Sequence, residues 1–435
     1  MRFLFRGGII LAVLIVGVSG FALWAHQPAI APISPPAAAN FSKADIQRGA
    51  FLAAAGDCAE CHTVPGGAPY AGGYPLPTPF GTIYGSNLTP DASTGIGSWS
   101  ETAFARALRH GVRQDGALLY PAFPYNHFTL VSDADVQALY AYLMTRPAVR
   151  NAVKPPDFKF PLNLRIVVAG WNLLYFKPGR FQPDPRQSVA WNRGAYLAEG
   201  LGHCAACHTP RNALGAETAS AYAGGISEGW VAPALNHLSP AMAPWTQGEL
   251  ATYLADGFVK THGFPAGPMA GVTHELAQLP PQDVQAIAVY IASIEPPASP
   301  AATADAVAKT QAATYKITTV QQQDLNGPAM TGAEIYAGAC ASCHFSGGAQ
   351  SFTRPVDLAL SSVVTAPQPT NFINIMTHGI TPLPGTAGRM MPPFTGALTS
   401  DQIAAVARYV RDHFTSKPAW AGIDKAISQS ELPAS

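Results

Sequence analysis

The longest apolar run of the chain lies at its N terminus. Eighteen residues from Gly7 to Trp24 carry no charge, and Arg2 and Arg6 precede them. A helix of that length measures about 27 Å at about 1.5 Å per residue, close to the thickness of a bilayer core. The run predicts a transmembrane anchor over residues 1–26, with a cleaved secretory signal as the alternative. In both cases the arginines stay in the cytoplasm and the rest of the chain is exported.

Beyond this run, apolar residues recur at spacings of three and four, which is typical of amphipathic helices. Gly/Pro-rich loops separate the helical stretches. The stretches with this spacing are 101–112, 133–144, 246–258, 281–292 and 400–414. The predicted fold class is therefore mainly α.

The second part of the chain repeats the first. Adding 146 to a residue number carries Cys58 to Cys204 and Trp99 to Trp245, so there is little net insertion between the two copies. A third unit, 333–414, is shorter and ends in a similar helical stretch. Self-similarity at a fixed period indicates internal duplication, here of a unit with an N-terminal helix, loops and a closing helix.

These patterns divide the chain into an anchor, three tandem domains and the segments between them. The predicted boundaries are 1–26 for the anchor, 27–41 for a tether, 42–150, 191–295 and 329–418 for the domains, 151–190 for a connector, 296–328 for a linker and 419–435 for a tail. The apolar stretch 166–176 in the connector is too short to span a bilayer, and is either a packed strut or a helix facing a partner or a membrane surface. The linker predicts an exposed, weakly structured segment.

Composition agrees with compact domains that have long loops. The 435 residues include 40 Gly and 40 Pro, and only 12% are charged. Because Lys+Arg and Asp+Glu are both 26, no global charge indicates a nucleic acid as partner.

The six cysteines fall into three copies of one pattern, Cys-x-x-Cys-His, with none left over. The copies are Cys58, Cys61 and His62; Cys204, Cys207 and His208; and Cys340, Cys343 and His344. This is the attachment signature of c-type haem, in which two thiols bond the porphyrin and the next imidazole binds the iron. A zinc site or a thioredoxin-like pair does not require that histidine. The sequence therefore predicts three covalently bound haems.

Methionines in Gly/Pro-rich loops predict the opposite ligand of two irons. Met269 lies 61 residues after His208, and Met391 lies 12 residues before Ile403 of the last helical stretch, with Met390 as the fallback. A thioether ligand raises the reduction potential of a haem iron.

The first unit lacks that methionine. Subtracting 146 from Met269 leads to Phe123, which cannot bind iron. His127 in the same loop is the favoured sixth ligand; Met144 and an open iron are the alternatives. A second imidazole would make this haem the one of low potential. Arg211, Trp99 and Trp245 are candidate hydrogen-bond partners of haem propionates.

Three further segments carry a family resemblance. They are NLTPDASTGIGSW at 87–99, WNRGAYLAEGLGHCAACHTPRNALG at 191–215 and the MPPF motif that follows Met390. With the anchor and the Cys-x-x-Cys-His units, the chain resembles the tri-haem membrane-bound cytochrome c subunits of periplasmic bacterial dehydrogenases from about Asp45 to Phe414. The resemblance implies three class I cytochrome c domains in the periplasm, held at the inner membrane. It also implies electron transfer from a catalytic subunit to ubiquinone, with no catalytic residue in this chain.

One loop bears on the identity of the catalytic subunit. Alcohol and polyol members of the family resemble LYPAMPY where this chain has LYPAFPYNHF, at 119–128. The Phe-plus-His version is more similar to the cytochromes of molybdopterin and iron-sulfur aldehyde dehydrogenases, which implies such a partner and a small iron-sulfur subunit. A quinoprotein alcohol dehydrogenase or a flavin polyol or gluconate dehydrogenase is the alternative. A different class, a stand-alone haem peroxidase or gas sensor with an open first iron, is a further alternative.

Overall fold

In the computed structural model, the described residues are 16–17, 19–21, 23–295, 298–318, 331–344, 357–380 and 391–430. They divide into two compact units, Met1–Gln182 and Pro183–Ser435. Helices dominate both units, as the sequence predicts. The first predicted domain lies in the first unit, and the second and third lie in the second unit.

The first unit consists of short helices and a small antiparallel sheet. Its elements are α1 (Lys43–Ala55), α2 (Cys58–His62), β1 (Pro75–Thr78), β2 (Gly81–Tyr84), α3 (Glu101–His110), α4 (Tyr125–Phe128), α5 (Asp133–Met144), β3 (Asp157–Phe158) and α6 (Val167–Tyr175). Strand β2 lies between β1 and β3, with Leu76 opposite Ile83 and Gly81 opposite Phe158.

The second unit repeats this arrangement and adds a third set of helices. Its elements are α7 (Val189–Glu199), α8 (Ala205–His208), β4 (Gly225–Ser227), β5 (Trp230–Ala232), α9 (Gln247–Asp256), α10 (Pro268–Leu276), α11 (Pro281–Ile294), α12 (Pro300–Thr318), α13 (Gly332–Ala339), α14 (Ala341–His344), α15 (Ser362–Thr365), α16 (Thr370–His378), α17 (Ser400–Phe414) and α18 (Ile423–Ser430).

Local sequence explains where several helices begin. Ser and Thr residues cap them by accepting a hydrogen bond from the backbone N–H three residues later, which satisfies a group that the helix leaves unpaired. At α9, α13 and α17 a Glu or Gln side chain also bonds back to the backbone of the cap, completing a capping box. The side-chain caps are Ser42, Ser100, Ser132, Ser188, Thr246, Thr331 and Thr399.

A glycine lets the first helix of each repeat approach the closing helix closely. A methyl group on Gly49 of α1 would collide with the carbonyl oxygen of Ala138 in α5. Gly194 of α7 meets α11 in the same way, and Gly332 of α13 meets α17. Ion pairs reinforce two of these crossings. They are Arg48 with Asp135 at 2.5 Å and Arg193 with Asp283 at 2.7 Å.

Helix α6 of the connector is partly buried and partly exposed. Val168 and Ala169 of α6 are buried in a cluster with Val112, Leu118 and Tyr120. Leu173 and Leu174 of the same helix are 67% and 66% exposed. The helix thus packs against the first unit through one part of its surface and exposes apolar side chains on another.

The linker differs from its prediction. The sequence predicts a weakly structured segment over 296–328, whereas residues 300–318 form α12. Alanine has the highest helix propensity, and this stretch is rich in it. Asp305 and Lys309 form an ion pair one turn apart at 2.6 Å, and the Thr303 hydroxyl donates to the Pro244 carbonyl at 2.8 Å. Local propensity and a tertiary contact therefore override the loop-like composition.

Most of the predicted anchor, including residues 1–15, lies outside the described residues. Within the part of the chain that the structure describes, we find no helix with the length and apolar character that a bilayer crossing requires. The anchor therefore stays a prediction.

Candidate haem sites

The first Cys-x-x-Cys-His motif forms α2, directly after α1. Nδ1 of His62 lies 2.6 Å from the carbonyl oxygen of Ser86. Because a carbonyl can only accept, Nδ1 carries the proton, and Nε2 keeps the lone pair that an iron needs. A methyl group on Gly85 would collide with the carbonyl oxygen of Cys61, so the chain can cross the motif there only as glycine.

The second motif has the same arrangement. Nδ1 of His208 lies 2.7 Å from the carbonyl oxygen of Pro233, the residue after β5. A methyl group on Gly225 would collide with the carbonyl oxygen of Cys207, as one on Gly85 would with that of Cys61. Desolvation by burial lowers the pKa of His62 and of His208, although the carbonyl bond opposes the shift. Each ring is therefore held neutral, which is the form that binds a metal.

The third motif lies at the junction of α13 and α14. The Tyr336 hydroxyl donates to the backbone carbonyl of His344 at 3.1 Å and joins the motif to the helix before it. Residues 345–356, which follow the motif, lie outside the described part of the chain.

The thiols differ from those of a redox pair. Burial, with the nearby Glu199 carboxylate and Cys207, raises the pKa of the Cys204 thiol to about 12. Burial likewise raises the pKa of Cys340 to about 11. A thioredoxin-like pair needs a thiol with a lowered pKa. The raised pKa values of Cys204 and Cys340 do not fit such a redox pair, and the histidine geometry of the first two motifs fits covalent c-type haem.

Glu199 is a residue that the sequence reasoning missed. The hydroxyls of Tyr222 and Tyr290 both donate to its Oε1, the latter at 2.5 Å. This cluster joins α7, the loop before β4 and α11 beside Cys204. The sequence signal was weak, since the three residues are far apart in the chain.

The two predicted methionine ligands lie in different local structures, Met269 in a helix and Met391 in an isolated β-bridge. Met269 is the second residue of α10 and is half-buried, after Gly267 with φ of 57° and Pro268. Met391 is also half-buried, and exchanges two backbone hydrogen bonds of 2.9 Å with Ile380. Met390, the fallback, lies outside the described residues. Ligation by either residue stays a prediction.

In the first unit, Phe123 and His127 lie on either side of the start of α4. The imidazole of His127 is buried, with 6% exposed, and the ring of Phe123 packs 5.2 Å from Phe128. Met144 is 4% exposed within α5, whose inward face packs in the core. Both side chains are buried, so burial does not distinguish them, and His127 as the favoured sixth ligand stays a prediction.

The candidate propionate partners have contacts of their own. Arg211 donates to the carbonyls of Ala206 and Gly215, at 2.8 and 2.7 Å. It therefore braces the loop that follows the second motif. The Trp245 ring stacks on His262, with centroids 3.5 Å apart, and the Trp99 carbonyl accepts from the Tyr140 hydroxyl at 2.7 Å.

The chain matches two known protein families. The cytochrome c family matches residues 46–147 and 192–295, and the family described as cytochrome C oxidase, cbb3-type, subunit III matches residues 327–410. The gluconate 2-dehydrogenase cytochrome c subunit of Pantoea cypripedii is 38% identical over 84% of this chain and 85% of its own length. The fructose dehydrogenase cytochrome subunit of Gluconobacter japonicus is 36% identical over 91% of this chain and 84% of its own length.

A nicotinate dehydrogenase subunit of Pseudomonas putida is 46% identical over 92% of this chain. The chain spans about a third of that protein, 33% of its length.

The fold, the histidine geometry and these similarities define a cytochrome c with covalently bound haem. The chain belongs to the family of multi-haem cytochrome c subunits of dehydrogenase complexes. This confirms the predicted family and the predicted role in electron transfer.

Proposed function

We propose that the chain carries three haem c groups and passes electrons from a catalytic dehydrogenase subunit to ubiquinone at the inner membrane. The observation that carries the proposal is the proximal arrangement found at both His62 and His208, where a carbonyl holds Nδ1. The third motif and the third glycine-mediated helix crossing support a third domain of the same kind. When bound, the haems supply one-electron redox chemistry. The protein residues hold each ring, exclude water and set its potential.

The catalytic partner that we favour is a molybdopterin and iron-sulfur aldehyde dehydrogenase, with a small iron-sulfur subunit. The LYPAFPYNHF loop supports it. The identity to the nicotinate dehydrogenase subunit, 46%, exceeds the 38% and 36% to the gluconate and fructose dehydrogenase cytochromes. That order favours a partner outside the polyol group, and nicotinate is a second candidate substrate.

A cavity supports a lipid-soluble acceptor. It measures about 350 Å³ and lies where the chain leaves the N-terminal apolar run. Its walls combine apolar groups with a few hydrogen-bond donors, as pockets for small aromatic ligands do. They include Trp24, Gln27, Arg106, His110, Ala169 and Phe176. We place the ring of ubiquinone here, next to the proposed anchor and to Ala169 of α6.

Co-purification tests the proposed function. The native complex is extracted with detergent from membranes of cells in which only this chain carries a tag. We expect a large catalytic chain with molybdopterin to accompany it and to reduce its haems when the substrate, an aldehyde or nicotinate, is added. A chain that purifies alone from such membranes, with haems that no dehydrogenase substrate reduces, would contradict the proposal.

The alternative of a peroxidase or gas sensor requires an open iron. Carbon monoxide binds ferrous haem only where the sixth position is free or weakly held. We expect the difference spectrum of the native reduced protein to show little binding. Stoichiometric binding to one haem would favour the alternative.

A further inference from the structure

A side chain from the third predicted domain, 329–418 (the third region), hydrogen-bonds to the β4–β5 hairpin of the second predicted domain, 191–295 (the second region). Asn371 lies in α16, and its Oδ1 accepts from the backbone N–H of Val231 at 2.8 Å, while its Nδ2 donates to the Val231 carbonyl at 2.7 Å. The amide thus pairs with the outer edge of β5 as a neighbouring strand would. Asn374, one turn later, donates to the Gly229 carbonyl at 3.1 Å. All of these residues belong to the second compact unit.

The pinned strand leads to the proximal ligand of the second haem. Pro233, two residues after Val231, supplies the carbonyl that accepts from His208. The hydrogen bond to the second ring nitrogen orients a metal-bound imidazole and tunes its basicity. A shift of β5 would therefore change both the orientation and the electron donation of His208.

The same strand supports the loop of the opposite ligand. The indole of Trp230 packs against Gly267, so closely that a methyl group at that glycine would collide with the ring. Gly267 caps α10, in which Met269 is the second residue. Trp230 directly precedes the residue that Asn371 holds, and Pro233 follows that residue by two positions. The residues that would hold the second haem iron, His208 and Met269, thus both depend on β5 and the proline that follows it.

Core packing holds helix α16, which carries Asn371, in place. Phe372, Ile373 and Met376 of α16 are buried in the core of the third region. The helix leads to Ile380, which exchanges backbone hydrogen bonds with Met391. The position of Asn371 is therefore set by the packing of the third region.

We propose that Asn371 is a positioning residue for the second haem, through which the third region maintains the His208 and Met269 coordination and keeps the potential of that haem high. The inference rests on the proposed function, since it takes His208 and Met269 as the axial ligands. Methionine ligation raises the potential of a haem, so a weakened Met269 bond lowers it. Two neighbouring haems would in this way be coupled by structure as well as by electron transfer.

The test compares Asn371→Ala with Thr365→Val in the haem-loaded full chain. Thr365 forms another bond from the third region to the second, at 3.3 Å to the Pro240 carbonyl, but does not contact β5. Redox titration and the absorption band of methionine-ligated ferric haem are the readouts, and Met269→Ala identifies which part of each belongs to the second haem. We expect Asn371→Ala to lower one potential and to weaken that part of the band, with the other two potentials unchanged. Thr365→Val should match the native protein.

Asn371→Asp guards against a folding defect. It keeps the size of the side chain and the bond from the Val231 N–H but sets a carboxylate oxygen against the Val231 carbonyl oxygen, and because the two oxygens repel we expect a shift in the same direction. A native band and three native potentials in both Asn371 variants would overturn the inference and leave the proposed function intact. If the methionine-ligation band of the Met269→Ala variant equals that of the native protein, the assignment of Met269 as a ligand is overturned instead.

Discussion

A backbone carbonyl fixes the tautomer of His62 and of His208. The motif predicts the histidines, because the chemistry of attachment requires an imidazole after the second cysteine. It cannot predict the acceptors, Ser86 and Pro233, which lie 24 and 25 residues along the chain. Carbonyls carry no side-chain signature, and only the tertiary fold brings them to the ring. The nearly equal separations, with a glycine crossing the motif in each case, indicate that the duplication preserved this bond.

The histidine in the first distal loop carries a testable role. We expect His127→Ala to convert one haem from a low-spin to a high-spin spectrum, because the favoured sixth ligand is lost and the buried loop offers no thioether in its place. Electronic absorption and paramagnetic resonance of the ferric protein measure the change. His237→Ala is the control, since His237 is an exposed histidine of the second unit. A spectrum identical to that of the native protein would rule out His127 as a ligand.

A buried carboxyl at the end of α11 gives a prediction on pH. Burial raises the pKa of Glu295 to about 7, against a usual value of 4.5, and the side chain is 8% exposed. The folded state therefore favours the protonated acid. With respect to this residue, the free energy of unfolding is highest below pH 4.5. It falls as the pH rises through about 7, because the folded state resists ionisation of the carboxyl.

We expect Glu295→Gln to raise the stability of the second unit at pH 8 by up to about 3 kcal/mol, since the pKa rises from 4.5 to about 7 and one pKa unit corresponds to about 1.4 kcal/mol. At pH 4.5 the variant and the native protein should unfold at nearly the same temperature. Thermal unfolding at the two values of pH measures this. Asp256→Asn, at an exposed helix end, is the control. Equal shifts at both values of pH would contradict the explanation by burial.

At the scale of the element, amphipathic periodicity predicted the closing helices, whose buried and exposed faces follow it. It did not predict α12, because the alanine-rich stretch favours a helix through propensity and the tertiary contact of Thr303 leaves no periodic signal. The glycine crossings were also missed. Gly49, Gly194 and Gly332 look like ordinary breaks in a helical pattern until the partner helix is known. Close backbone approach is what makes glycine necessary there.

Two glycines of one helix test the crossing. We expect Gly332→Ala to destabilise the third region by about 1–3 kcal/mol, because the added methyl group meets the carbonyl oxygen of Ala405 in α17. Gly338→Ala in the same helix α13 has open space around it and should stabilise by about 0.5 kcal/mol or more through helix propensity. Chemical denaturation followed by circular dichroism measures both. Equal effects of the two substitutions would contradict close helix packing as the reason for glycine.

At the scale of the whole molecule, the repeat and the motifs predicted the family and the role in electron transfer. They could not predict how the second and third haem regions dock, because the contact of Asn371 with Val231 joins residues 140 positions apart and uses backbone atoms on one side. The sheet β1–β3 shows the same limit, since β3 comes from the connector. Long-range pairing of this kind has no signature in a single sequence.

The cavity beside Trp24 gives a prediction for the intact complex. We expect His110→Trp to slow the reduction of a short-chain ubiquinone several-fold by filling the cavity, while the reduction of ferricyanide stays at the native rate. Steady-state rates with the two acceptors measure the difference. His237→Trp, at an exposed position in the other unit, is the control. An equal fall in the rate with both acceptors, or native rates with both, would contradict a quinone site in this cavity.

The number of covalent haems is the quantity on which the account depends most directly. Intact-mass analysis of the denatured chain, purified from cells that mature cytochromes c, counts the groups bound through Cys58/Cys61, Cys204/Cys207 and Cys340/Cys343. The expected mass is that of the polypeptide plus three haems. A mass with two haems or fewer would contradict the account of this chain as a three-haem electron-transfer subunit.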